Sequence, residues 1–132
     1  MEENTFIITD KFDPIVKATA IKLLEHVIKT NSTIFYSDLT DSLKPDFDIN
    51  PRNIEHFLVF ISFACKANGI PPISVMVVSK DTLMPGSGFY KAYFPELKSD
   101  SEREKKCFEL MKQVQEYDNW DSVLTAYKKW HS

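Results

Sequence analysis

The sequence predicts a mainly helical α+β fold, and three observations lead there. In His56–Ser79 only Lys66 carries a full charge, although 27% of the 132 residues are charged. That apolar stretch divides at Gly69 and Pro71-Pro72 into a helical part and a part rich in β-branched residues. Around it the order of segments is helix, short extended piece, short helix, loop, long helix, strand. A short and a long helix joined by a turn, with a strand behind them, is the order of a winged helix-turn-helix. A helical extension follows at the C-terminal end.

Composition narrows the reading. The chain is expected to form a single domain over residues 1–132, long enough to enclose a hydrophobic core. Its winged-helix-like core spans 33–90 and its C-terminal helices 99–130. A formal net charge of −3 argues against strong non-specific binding to nucleic acid, which depends on neutralising phosphates. The two cysteines, Cys65 and Cys107, fall on separate apolar helical faces and read as buried free thiols. The opening MEENTFIITD is acidic and lacks the apolar run of a signal peptide. Lys66 and the Gly69–Pro72 break make the central run too short to span a membrane. A soluble, cytoplasmic protein is the simplest expectation.

In chain order, Phe6-Ile7-Ile8 is expected to pin the N-terminal segment as an edge strand or in a groove. Asp13-Pro14 starts a helix that runs to Lys29, with Ile15, Ala18, Ile21, Leu24 (or Leu23) and Ile28 on one face and lysines outside. Thr33–Tyr36 is β-like, and Ser37 reads as the N-cap of a brief helix to Leu43. Lys44-Pro45 ends it. Asn50 caps the central helix and Pro51 sits where a missing N–H costs nothing. Residues 54–65 are apolar on nearly every side, so this helix is expected to be covered all round. Gly69 stops it with a positive φ. Ile73–Val78 reads as a buried strand. Leu83–Tyr90 holds two of the chain's three glycines and reads as a turn needing unusual φ values, with Phe89 returning to the core, or else as a loop that a ligand or backbone approaches closely. Ser101 and Glu104 read as a capping box for a helix to about Tyr117. A last short helix carries Trp120, Val123, Leu124, Tyr127 and Trp130.

Local motifs for chemistry are missing from the sequence. His26, His56 and His131 are scattered, and neither HExxH nor CxxC occurs. There is no Gly-x-Ser-x-Gly elbow, and the glycine turn lacks the Lys-Ser/Thr of a phosphate-binding loop. Asp38, Asp41, Asp46 and Asp48 form an acidic patch without the spacing of an EF-hand, so it reads as a solvated face. No catalytic residue, metal or cofactor is expected, and the chain reads as a non-enzyme.

Residues 33–90 resemble the winged-helix domain of the alkylguanine-DNA alkyltransferases and their alkyltransferase-like relatives. Thr33–Leu39 is similar to the family's tyrosine-containing entry to a short helix. Arg52 opens the next helix as the family's arginine finger does. Asn68–Pro71, Val77–Ser79 and Gly86–Lys91 resemble the segment before the active site, the strand, and the glycine turn beyond it. The family's Pro-Cys-His-Arg is here Pro71-Pro72-Ile73-Ser74, with neither acceptor cysteine nor activating histidine. The resemblance therefore implies DNA binding without alkyl transfer. In that family tyrosine and arginine rotate a nucleotide out of the duplex and fill its place. By this match Tyr36 is the lever and Arg52 the plug, with Ser37 and Asn53 beside the phosphates.

Two functions follow as expectations. The first is a non-enzymatic DNA-binding protein using Tyr36, Ser37, Arg52 and Asn53. The second is an acidic protein-interaction module, a regulatory subunit or mobile-element-encoded inhibitor. Its partner surface is expected on Trp120, Tyr127 and Trp130, joined by Phe89-Tyr90 and Tyr93-Phe94. Neither expectation sets an oligomeric state.

Overall fold

The structure is a computed structural model that describes residues 14–130, apart from the side chains of Pro51 and Arg52. The expected N-terminal strand at Phe6-Ile7-Ile8, Asp13 and His131 lie outside the described residues. Among the described residues, six α-helices and two very short strands are arranged as α1 (Pro14–Thr30), β1 (Ile34–Phe35), α2 (Tyr36–Leu43), α3 (Pro51–Ala67), β2 (Val77–Val78), α4 (Ser87–Tyr93), α5 (Asp100–Glu116) and α6 (Trp120–Lys129). The fold is thus mainly helical, with β1 and β2 paired in parallel, Ile34 opposite Val77 and Phe35 opposite Val78.

One hydrophobic cluster draws residues from α1 through α6. Helix α1 buries Val16, Ala20, Leu23, Leu24 and Val27 and leaves Ile28 exposed. Its core face is therefore turned from the expected Ile15–Ile28 stripe, because α1 packs against both α3 and α6. Asn31 takes a left-handed φ of 52° after the last turn. Its side chain donates to the Gln115 carbonyl (3.3 Å), and Gln115 Nε2 donates to the Asn31 carbonyl (3.0 Å), so the end of α1 is tied to α5.

The start of α3 follows the sequence: the Asn53 N–H donates to Asn50 Oδ1 at 3.0 Å, an N-cap bond. Gly69 ends the helix region with φ +67°. Two expectations for this region need correction. Helix α3 is not covered all round, since Phe60 and Phe63 are 37% and 45% exposed. The buried segment after Pro72 is a 3-10 helix over Ile73–Met76 and becomes a strand only at Val77–Val78. Burial on every side makes such an apolar run compatible with either conformation, and periodicity cannot separate them.

Helix ends differ elsewhere. Helix α2 starts at Tyr36, with Phe35 at the N-cap and no side-chain cap from Ser37. The capping box of α5 is Ser99 with Glu102, two residues before the expected pair: Glu102 N–H donates to Ser99 Oγ at 3.2 Å, and Ser99 N–H to Glu102 Oε1 at 3.4 Å. Residues 87–90, expected as the end of a turn, form with 91–93 the helix α4, which packs against α3. Among the described residues no helix is long and apolar enough to cross a membrane.

Candidate functional site

The site is built around the Pro85–Gly88 turn. None of its residues has a positive φ; Gly86 has φ −73°. The glycines serve a different need. A Cβ on Gly86 or on Gly88 would lie 2.6 Å from Glu55 Oε2. Glu55, from α3, places its carboxylate against the backbone of this turn, and the Gly88 N–H donates to Oε2 at 2.7 Å. A carboxylate at the first turn of α4 satisfies an N–H that the helix itself leaves unpaired. The residue that does take a left-handed backbone nearby is Leu83, with φ 60°.

Tyr36 holds the turn from the same side. Its hydroxyl accepts the Gly86 N–H at 2.8 Å. Burial pushes the Tyr36 phenol well above its ordinary range, the Glu55 charge adds to this, and the Gly86 bond works against it. Behind the turn, Tyr36, Glu55, Ser62, Ser74 and Phe89 enclose a cavity of about 10 Å³, room for one water at most. Ser62 and Ser74, both buried, share a hydrogen bond, and Ser62 Oγ also donates to the Leu58 carbonyl at 3.0 Å. Polar groups of α2, α3 and the 3-10 helix thus converge on one side of the turn.

The opposite side of the turn is open. A groove of about 490 Å³ lies between residues 79–90 and the first turns of α5. Gly86, Ser87 and Tyr90 line one part, and Asp81, Thr82 and Met84 another. Arg103, Asp100 and Glu104 complete it from α5. Arg103 is already engaged. Its Nε donates to the Leu97 carbonyl at 3.2 Å, its guanidinium lies 5.4 Å from the Tyr90 ring centre, and Nη1 is 3.8 Å from Asp100. The Tyr90 hydroxyl donates to the Cys107 sulfur, and burial raises the phenol to about 12. The groove therefore sets three carboxylates, Asp81, Asp100 and Glu104, against one guanidinium that is held internally. Among the described residues neither Asp81 nor Glu104 enters an ion pair.

The residues singled out from the sequence are distributed as follows. Tyr36 belongs to this site, but its hydroxyl points inward to Gly86. Ser37 is half-buried beside it and Asn53 is exposed on the first turn of α3; the Arg52 side chain lies outside the described residues. Trp120 and Tyr127 are buried, so the expected partner surface on α6 is part of the core. Trp120 Nε1 donates to the Val114 carbonyl at 2.9 Å, Trp130 packs edge-on against Tyr127, and α6 lies along α1. Of the other aromatics named for that surface, Phe89 of α4 and Phe94 just after it are buried and meet edge-on, while Tyr90 reaches the groove. Among the described residues no group of three or more His, Cys, Asp or Glu side chains is placed to hold a metal ion. Glu55 went unrecognised in the sequence as a site residue. Comparison with known proteins finds no matching protein-family model, no similar curated protein and no similar solved structure.

Proposed function

We propose that this chain is a protein-interaction module whose groove receives a basic segment of a partner polypeptide. One observation carries the reading: a groove of about 490 Å³ presents three carboxylates, of which Asp81 and Glu104 enter no ion pair among the described residues, while its single guanidinium is occupied by Asp100, Tyr90 and a backbone carbonyl. Lysine or arginine entering there meets complementary charge. The wall formed by Gly86 and Ser87 is braced from behind by Tyr36 and Glu55, so little ordering is required on binding. The test is fluorescence anisotropy of a labelled lysine- and arginine-rich peptide. Binding that weakens with salt, and weakens again in the Asp81→Asn/Glu104→Gln double variant, supports the reading. Equal affinity for an acidic peptide, or no loss in the double variant, overturns it.

A second reading is DNA binding by a winged helix of alkyltransferase-like type. It draws on the order β1, α2, α3, β2 and on exposed Asn53 at the start of α3. It requires Tyr36 to release Gly86 and reach a phosphate, and it runs against the acidic balance of the chain. Salt-sensitive binding of a DNA duplex that Arg52→Ala abolishes would favour it over the groove.

A further inference from the structure

The turn at the rim of the groove carries an apolar residue in an unusual state. Leu83 is 60% exposed and adopts φ 60°, a left-handed conformation that a leucine rarely takes. Its neighbours Thr82 and Met84 line the groove, so Leu83 stands at the edge with its side chain to solvent. The platform beneath it is fully tied. Leu83 N–H donates to the Ser79 carbonyl (2.8 Å), Ser79 N–H to the Met84 carbonyl (3.0 Å), Met84 N–H to Thr82 Oγ1 (3.1 Å), and Asp81 N–H to Ser79 Oγ (3.1 Å). Packing inside the fold does not account for a leucine held outward this way. Asparagine would suit the backbone better.

Resting on the groove reading above, we infer that Leu83 is the apolar anchor of the interface, and that the partner segment carries an aliphatic residue beside its basic ones. The basic side chains enter the groove toward Asp81, Asp100 and Glu104, and the aliphatic side chain covers Leu83. The turn that carries Leu83 is already hydrogen-bonded, so its backbone has little freedom to lose when the side chain is covered. Specificity then has two parts: charge selects basic segments, and Leu83 selects among them.

The experiment uses three labelled peptides in one Gly-Ser frame: Lys-Arg-Leu-Lys, Lys-Arg-Ser-Lys and Glu-Glu-Leu-Glu. Binding is measured by anisotropy to the full chain and to its Leu83→Asn and Leu83→Met variants. The wild type is expected to prefer the leucine-containing basic peptide over its serine counterpart by about tenfold. Leu83→Asn should lose that preference without a lower melting temperature, since asparagine tolerates the backbone, and Leu83→Met should keep it. If the basic peptides bind but Leu83→Asn retains the leucine preference, the anchor is wrong and the groove reading stands. If neither basic peptide binds better than the acidic one, the groove reading fails and the anchor with it.

Discussion

Replacing Gly88 with alanine measures how firmly Glu55 grips the turn. The added Cβ would lie 2.6 Å from Glu55 Oε2 and 2.9 Å from its Cγ, so the carboxylate has to move away. The Gly88 N–H then loses a charge-assisted bond, at a cost of about 1.5–3 kcal/mol. Helix propensity acts in the opposite direction, since alanine is better than glycine within a helix by up to about 1 kcal/mol. The net expectation is a destabilisation of about 0.5–3 kcal/mol. In a Glu55→Ala background there is no carboxylate to displace and only the propensity difference remains. There Gly88→Ala should be neutral or stabilising by up to about 1 kcal/mol. Urea denaturation of the four proteins, followed by circular dichroism, gives the coupling as a double-mutant cycle. A change of sign between the two backgrounds supports the grip. Effects that add to within about 0.5 kcal/mol would refute it, because independent residues cannot reverse one another's effect.

Two further outcomes follow from the packing. Trp120→Ala should destabilise by about 3–5 kcal/mol, since the ring is buried and its indole N–H is bonded to Val114, while Trp130→Ala, half-buried at the end of the described chain, should cost clearly less; thermal melts of the two variants compare them. Stability should also fall in alkali. Burial holds Cys65 at about 12 and Cys107 at about 11, against an ordinary 9.0, and Tyr90 at about 12 against 10.0. Tyr36 lies higher still. Each raised group is neutral in the fold and ionises first in the unfolded chain, so its contribution is complete below the unfolded value and is lost as pH climbs through 9.0 toward the folded values. The urea midpoint should be level near neutrality and decline above this point, and a flat profile would contradict the burial of these groups.

What could be read in the sequence divides along physical lines. Helix α3 announced itself because its cap and stop are local: Asn50 supplies an oxygen three residues before the N–H it accepts, and Gly69 supplies a positive φ. The chain of segments through β2 is likewise an outcome of local pattern. Conformation within the run after Pro72 was not legible, because a segment buried on every side shows no period. The glycines of the turn answer to close approach and not to unusual φ values, and the sequence does not say what approaches them. Their need is distant, a carboxylate 33 residues away in sequence, and composition carries no sign of such an approach. A signal did exist on α3: Glu55 and Ser62 are seven residues apart, two turns, on a helix that is apolar over that span except for His56. Polar residues in register along one face of an apolar helix mark a buried polar contact. The aromatic C-terminal segment misled for the converse reason, since large rings serve cores and interfaces equally, and only the packing of α6 on α1 decides between them.

The groove itself is where the account is most exposed to test. A titration of the isotope-labelled chain with the Lys-Arg-Leu-Lys peptide, followed by NMR amide shifts, locates the contact residue by residue. Binding in the groove should give saturable shifts concentrated at residues 81–87 and 100–104, with the outward face of α3 from His56 to Phe63 unmoved. Shifts confined to α3, or none at all while the chain stays folded, would contradict it.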